Sequence, residues 1–551
     1  MSSAPAAGKP AARGPSSWAP LSARVFRSLW LAQLGSNVGT WMQTVGAQWM
    51  LVHQPNAAVL TSAVQAASLL PVLFLSLPAG VLSDVLDRRT LLITLSAVMA
   101  ALSGVLTVLT AAGLTTPAVL ITLTFAMGCG SALMGPGWQA IQPELVPRAQ
   151  IPAAAALGSL NVNIARAVGP AAAGVIVALT GPAVVFGINS VSFLGVVAAL
   201  ALWRRTRTTA GTPERLRPAL ESGLRYVRHA PGVRRVMLRS ALFVLPASAL
   251  WGLLPVVSSS RLGLSAGGYG LLLAALGVGA IVGAVTIKRV RTALGTNVLL
   301  ALSTCAFAAG TAAAAVLREP WAVAALLVLT GVGWLYALST LNTTLQLALP
   351  SWVRARALAV YLMVFMGGQG IGTLVWGVIA NEAGVPPTLL AAAALLLLGC
   401  ASLLWWPVHK VTGTLDRTIV APWPEPALTL TPAEAAEGPV LVEVSYRVPD
   451  DRVPAFRTAM SALSVSRRRT GASRWGLFRA LEDPGTWIEV FEVPSWGEHL
   501  RQHEGRITGY DAELVERARE LADGTPVVRH LLPPGTREGP GAPEEPGARE
   551  G

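Results

Sequence analysis

Runs of about 20 apolar residues, repeated along most of the chain, restrict the fold more than any other feature of this sequence. A helix of about that length crosses the hydrocarbon of a bilayer, where a helix satisfies its own backbone hydrogen bonds. Twelve such runs are read, at 26–51, 59–81, 90–112, 117–140, 151–179, 183–203, 235–258, 267–287, 296–316, 321–346, 356–381 and 387–406. Mean hydropathy is +0.55. Charged residues make up 13% of the 551, about half the ~25% of an ordinary soluble protein. The lipid bilayer is therefore the first expected partner.

The net charge of +13 would suit a nucleic-acid binder, but its distribution does not. Residues 1–406 hold 25 Lys/Arg against 7 Asp/Glu, and residues 407–551 hold 17 against 22. The positive charge sits in short loops, and it alternates. One set of loops holds Arg24 and Arg27, Arg88 and Arg89, Arg148, the arginine-rich segment 204–234, Lys288 with Arg289 and Arg291, Arg354 with Arg356, and Lys410. The other set holds His53, Arg261, Arg318 with Glu319, and Glu382, with no charge at 113–116 or 180–182. By the positive-inside rule this places both termini in the cytoplasm, and it excludes a nucleic-acid partner. Cys129, Cys305 and Cys400 each lie inside an apolar run, with no zinc spacing and no disulfide framework, so no metal or cofactor is expected.

The segment 204–234 separates two sets of six runs, and the sets repeat. A shift of 203 residues pairs Gly80 with Gly283, Gly128 and Gly130 with Gly331 and Gly333, and Pro147 with Pro350. It also pairs Gly169 with Gly372, Gly174 with Gly377, Gly181 with Gly384 and Trp203 with Trp406. Duplicated six-helix bundles that rock about a central cavity produce this kind of internal symmetry. The expected organisation is a disordered tail at 1–20, a bundle at 21–203, a cytoplasmic linker at 204–234, a second bundle at 235–407, a Pro-rich linker at 408–437, a cytoplasmic domain at 438–533 and a disordered tail at 534–551.

Between the second and third runs lies Gly80-Val-Leu-Ser-Asp84-Val-Leu-Asp87-Arg88-Arg89. Gly80 is read as a point of close helix approach. Asp84 is read as lying near the start of the following helix, where unpaired N–H groups favour a carboxylate. This pattern resembles the loop signature of the major facilitator superfamily. Its echo at Gly283-Ala-Val-Thr-Ile287-Lys-Arg has Ile287 in place of the acid. Phe26–Gln33, Asn37–Gln43, Pro143–Arg148 and Asn163–Pro170 resemble a narrower bacterial branch, the enterobactin-exporter-like or transmembrane secretion effector group. The resemblance implies an all-α membrane protein of twelve transmembrane helices in two six-helix bundles, located in the bacterial plasma (inner) membrane. It implies a secondary transporter, not an enzyme, that exports a small organic molecule such as a siderophore, drug or secondary metabolite, with proton antiport as a family property. No Asp or Glu lies deep in any run, so these residues do not themselves point to a proton carrier.

Polar side chains inside the runs are the site candidates. Arg166, mid-way along the fifth run, is read either as a cavity cation for an anionic ligand or as a structural tie to helix ends. By the shift of 203 it faces Gln369, which would make a cavity asymmetric and positive. Asn37, Thr40 and Gln48 share a helical face and are read as lining a cavity or as bonding between helices, with Asn163 a further candidate. Gly169-Pro170 resembles the Gly-Pro motif of superfamily antiporters and suits a bending helix. Asp84, Arg88 and Arg89, with Glu144 and Arg148, are read as a conformational gate at the cytoplasmic helix ends.

After Pro407 the pattern changes. Alternation over 440–448, a helical stretch at 450–469, strands near 473–481 and 486–493, a helical region at 495–522 and a strand at 526–532 give the β-α-β-β-α-β order of an α+β ferredoxin-like domain. The tail resembles the dimeric domains related to antibiotic-biosynthesis monooxygenases, which implies a homodimer. His499 and His503 have the i, i+4 spacing of a metal pair, but no third ligand is evident. The alternative function is a membrane-tethered enzyme, or a ligand sensor acting through this domain.

Overall fold

The computed structural model describes residues 18–203, 224–408 and 438–532, without the side chains of Leu77, Val81, Asp84, Val85, Ala355 and Glu504. The expected terminal tails, apart from residues 18–20, and most of both linkers lie outside the described residues. The chain divides into two compact units. One comprises 1–214, 239–341 and 362–407, and the other 215–238, 342–361 and 408–551.

The first six helices are α1 (Arg24–Leu51), α2 (Ala57–Val85), α3 (Arg88–Ala111), α4 (Pro117–Ile141), α5 (Ile151–Thr180) and α6 (Pro182–Leu202). The second set comprises α7 (Pro231–Val256), α8 (Ala266–Ala293), α9 (Thr296–Val316), α10 (Pro320–Ala348), α11 (Ser351–Leu362), α12 (Gly368–Ala383) and α13 (Val385–Ala401). A π-helical turn, Met363–Gly367, joins α11 to α12. Among the described residues ten helices are long and apolar enough to cross a membrane: α2 to α10, and 351–383 taken as one. Of the twelve expected spans, α1 is outside that group because its amides lower its hydropathy, and α13, at 17 residues, because of its length.

The glycines spaced by 203 occupy matching places. A Cβ at Gly128 would stand 2.6 Å from the Ala67 oxygen of α2, and one at Gly331 would collide with the Leu276 oxygen of α8. Gly174 approaches the Ala266 oxygen of α8, while Gly377 approaches the Ala58 oxygen of α2. Gly181 and Gly384 each start the last helix of their set, at φ 84° and 85° with ψ 172° and 156°, a region essentially closed to L side chains. An arginine closes the far end of both last helices. Arg89 donates to the Leu200 and Ala201 carbonyls of α6, each at 2.8 Å. Arg239 donates to the Gly399 carbonyl of α13 at 3.0 Å, to the Ser402 carbonyl at 2.8 Å and to the Trp406 carbonyl. Such donors satisfy carbonyls that have no partner within the helix.

Two readings of the 80–89 segment are corrected. α2 runs on to Val85, so Asp84 ends one helix and does not begin the next. Asp87 is the acid at the start of α3, accepting from the Thr90 N–H at 2.9 Å. At Gly80 a Cβ would meet nothing within 4 Å among the described residues, so no described helix packs against it. The close contacts are made at Gly128, Gly174 and their counterparts.

In the second unit β1 (Val440–Arg447), β2 (Arg474–Arg479), β3 (Thr486–Val493) and β4 (Asp523–Leu531) form one antiparallel sheet in the order β2-β3-β1-β4. That order is compatible with the ferredoxin-like expectation. The helical region expected at 495–522 is two helices, α15 (Trp496–Gly505) and α16 (Gly509–Glu520), which follow α14 (Val453–Thr470). Thr508 splits them by capping α16 in a reciprocal box with Asp511. Val440, Val442 and Val444 of β1, with Phe456, Met460 and Leu463 of α14, form the core on one sheet face.

Candidate functional site

Within the first unit, α1, α4, α5 and α6 enclose a cavity of 560 Å³. Gln33, Ser36, Asn37 and Thr40 line it at helical spacing i, i+3, i+4, i+7 from one face of α1. Ser131 and Gln139 of α4, Gln142 just beyond it and Ser159 of α5 face them. The lining carries many neutral donors and acceptors and no charged group. Asn37 donates to Asn161 at 2.8 Å, and Asn161 donates to the Trp30 carbonyl at 2.9 Å, which fixes α1 against α5.

The other polar candidates lie elsewhere. Gln48 shares the face of Thr40 but sits eight residues on, ~12 Å along the helix. There it is buried, its Oε1 accepting from Tyr269 of α8 at 2.6 Å. Gln369 is buried in the first turn of α12, between Gly367 and Gly370, which abut Leu73 and Leu70 of α2. Asn163 bonds back to the Ser159 carbonyl at 2.9 Å, one helical turn earlier. Gln43, also on α1, is held in the core by Asn189 and Ser103.

Arg166 lies with its guanidinium 5.9 Å from the ring centre of Trp41. Its Nε is buried without a hydrogen-bond partner, and among the described residues it makes no ion pair. Trp41 is 6.3 Å from Trp251 of α7, which is 5.4 Å from Trp334 of α10. Phe243, Phe307 and Phe365 surround Trp334 at 5.6–5.7 Å. The Trp251 indole N–H is buried and also without an acceptor. Two orphaned donors therefore flank an aromatic pair where the two helix sets meet, an arrangement suited to a ligand with acceptor oxygens on a flat apolar body. Helical spacing does not bring out this cluster, because Trp41, Trp251 and Trp334 come from three different helices.

Gly169 and Pro170 sit beside this point. A Cβ at Gly169 would stand 2.6 Å from Trp41 Cβ, and the Pro170 carbonyl packs on Gly270 of α8. Of the gate residues, Arg88 pairs with Glu144 at 2.9 Å and donates from Nε to the Ser83 carbonyl. This joins the start of α3 to the end of α4 within one set of six. Arg148 is exposed and makes no ion pair among the described residues, and the side chain of Asp84 lies outside them.

The family model for transmembrane secretion effectors, of the major facilitator type, matches residues 15–538. The chain belongs to that family. It is 26% identical over 356 residues to the staphyloferrin A transporter of Staphylococcus aureus, across 64% of this chain and 88% of that one. It is 25% identical over 390 residues to the multidrug efflux pump Tap of Mycolicibacterium fortuitum, across 67% and 92%. Among solved structures, a bacterial homolog of the human lysosomal transporter Spinster aligns with TM-score 0.56 at 12% identity, over 70% of this chain and 97% of that one. The POT family transporter PepTSo aligns with TM-score 0.58 at 10% identity, over 70% and 97%. At such identities the likeness is one of fold. This transmembrane secretion effector is a multi-pass membrane transporter, and its family is one of transporters, not enzymes.

The second unit of this secretion effector has a cavity of its own, 310 Å³, between the sheet and its helices. Val442 aligns with Phe491 on one side and with His530 on the other, so these three span the sheet in one row. His499 of α15 reaches His530 at 3.0 Å, Nε2 to Nε2. The metal-pair reading of His499 and His503 thus gains a third imidazole, from β4, that local spacing could not reveal. Even so, among the described residues no group of three His, Cys, Asp or Glu is arranged to hold a metal. Burial, with His503 and His530 nearby, pushes His499 down to about 3, so it is neutral at physiological pH. Glu489, fully buried, accepts from Arg467, Trp475 and Tyr446.

Proposed function

We propose that this chain is a twelve-span secondary transporter of the bacterial plasma membrane. Both termini lie in the cytoplasm, and a small organic molecule is exported by alternating access. Under the positive-inside rule the arginine-bearing helix ends face the cytoplasm. The two helix sets touch toward the opposite ends, through Gln48 with Tyr269, Thr61 with Gly252, and Gly174 with Gly270. The uncharged polar cavity lies toward the arginine-bearing ends, a disposition that favours an inward-open arrangement awaiting cytoplasmic substrate. The relatives named for staphyloferrin A and for multidrug efflux support a substrate in the siderophore or drug class.

The observation that carries the reading is the pair of orphaned donors, Arg166 Nε and Trp251 Nε1, beside Trp41. They favour an anionic or catechol-like ligand. Arg166, Asn37 and Thr40 are assigned to the substrate path, with Gly169-Pro170 as the bend and Arg88–Glu144 as the gate pair. In inverted vesicles supplied from outside with catecholate and carboxylate siderophores, Arg166→Gln should cut uptake by about tenfold or more while folded protein persists. Rates within twofold of wild type for every probe would remove Arg166 from the substrate path. Collapsing the proton gradient in the same vesicles tests coupling.

The tail is assigned to the monooxygenase-related dimer domains as a pairing module. The sheet face opposite the core carries Phe478, Val527 and Leu531, exposed at 59%, 56% and 43%, which supports face-to-face pairing. Phe478→Asp should convert a dimer to a monomer by light scattering. An unchanged mass would refute pairing through this face.

A further inference from the structure

In the second unit, α15 lies between the 310 Å³ cavity and two chain segments that lead into membrane helices. Toward the cavity it presents His499, Gln502 and His503. Elsewhere it presents Glu498, which binds Arg501 at 2.7 Å and Arg506. Arg225, on the segment that precedes α7, stands 3.9 Å from the same carboxylate. Burial pushes Glu498 up, but the hydrogen bonds and charges of Arg506 and Arg501 outweigh it and hold the carboxyl below its usual range.

Two connections run from the cavity wall to these segments. Thr470 lines the cavity, and its carbonyl accepts from Arg506 at 3.1 Å. The Arg506 guanidinium lies 4.8 Å over Trp352 of α11, and Trp352 meets Tyr226 edge-on at 5.7 Å. Gln502 also lines the cavity and abuts Gly471, whose carbonyl accepts from Arg225 at 2.7 Å. Each connection is one residue deep, so a ligand that shifts Thr470 or Gln502 must disturb the contacts of Arg506 or Arg225.

The lining defines the ligand. Val442, Val444, Phe491, Ile507 and Val528 make apolar walls. The polar part is three imidazoles with Tyr446, Thr470, Gln502, Arg467 and Arg519; Arg467 is paired with Glu489 at 3.0 Å and Arg519 with Glu516 at 3.1 Å, and neither carboxylate lines the cavity. The His499 Nδ1–H donates to Gln502 Oε1 at 3.2 Å, which leaves Nε2 to accept from the Nε2–H of His530. A neutral imidazole pole of this kind, backed by paired arginines and with no acid on the wall, suits a weak organic acid on a one- or two-ring body.

We propose that this cavity is a regulatory site for a small aromatic or aliphatic carboxylic acid, and that α15 passes its occupancy to the leads of α7 and α11. Coupling of this kind is reciprocal, so a change in those leads also changes the acid's affinity.

The test uses the full chain in nanodiscs, with 1-naphthoate as probe and 1-naphthamide as its uncharged isostere. Naphthoate should bind at least tenfold more tightly than the amide. Val528→Trp, which fills the cavity, and His503→Phe, which alters its pole, should each weaken binding tenfold or more. Backbone hydrogen exchange over 224–238 and 351–362 should change at least twofold on binding, and not in Val528→Trp. Absent binding, equal affinity for acid and amide, or affinity unmoved in a folded variant overturns the site. Binding with exchange changes confined to 440–531 overturns the coupling. Neither readout depends on what the membrane helices carry.

Discussion

Arg239 is a cation inside the seventh apolar run, and its work is local. It closes the carbonyl end of α13 with bonds to Gly399, Ser402 and Trp406. Arg239→Leu should lower stability by about 3 kcal/mol, since charged hydrogen bonds contribute ~1.5–3 kcal/mol each and the freed carbonyls are partly buried. A detergent melt that does not move would show the carbonyls to be satisfied otherwise. His499 makes the second residue-scale prediction. Its folded pKa, about 3, lies below the ordinary 6.5, so the unfolded chain takes up the proton first. The stability it contributes is complete above ~6.5 and is lost as pH falls toward about 3. Acid unfolding of the tail, followed by tryptophan fluorescence, should therefore begin below pH ~6.5 and flatten in His499→Gln. At this scale the sequence was partly legible. Helical spacing found Asn37 and Thr40, because a cavity shows one face of a helix. It misplaced Gln48, because the wheel gives direction and not height. It passed over Arg239, because an arginine near a run's end looks like any topological charge.

Between elements, α5 meets α8 and α2 meets α12 in close backbone contacts. Each depends on a glycine where backbones meet. A Cβ at Gly174 would lie 2.7 Å from the Ala266 oxygen and 3.0 Å from the Gly270 Cα, atoms that cannot swing aside as a side chain does. Gly174→Leu should therefore disfavour the closed seam. Spin labels at Thr180 and Ser265 should move apart by more than ~5 Å on average. An unchanged distance distribution would mean that the seam is not the part that moves. The helices themselves were readable from apolar length alone. The break of 495–522 into two was not, because the capping box at Thr508–Asp511 is a polar signal inside a stretch of unbroken helical propensity. Nor was Asp87's role, since Asp84 and Asp87 differ only in which side of a two-residue gap they occupy.

For the whole molecule, orientation can be checked directly. In intact cells His53→Cys should react with an impermeant maleimide, while Arg291→Cys should react only after lysis. The reverse pattern would invert the assignment of sides. The duplication was visible in the sequence because helix crossings demand small residues at fixed points. The tail's contacts with 224–238 and 342–361 were not visible, because charged pairs such as Arg225–Glu498 join residues with no periodic relation. The duplication also carries a consequence for tolerance to mutation. Gly181 and Gly384 share one backbone conformation that no other residue adopts comfortably. A saturation library scored for surviving protein should then show two troughs at those codons, 203 apart, and fainter paired troughs at 128 and 331 and at 174 and 377. The mutational record of one half would serve as a ruler laid along the other.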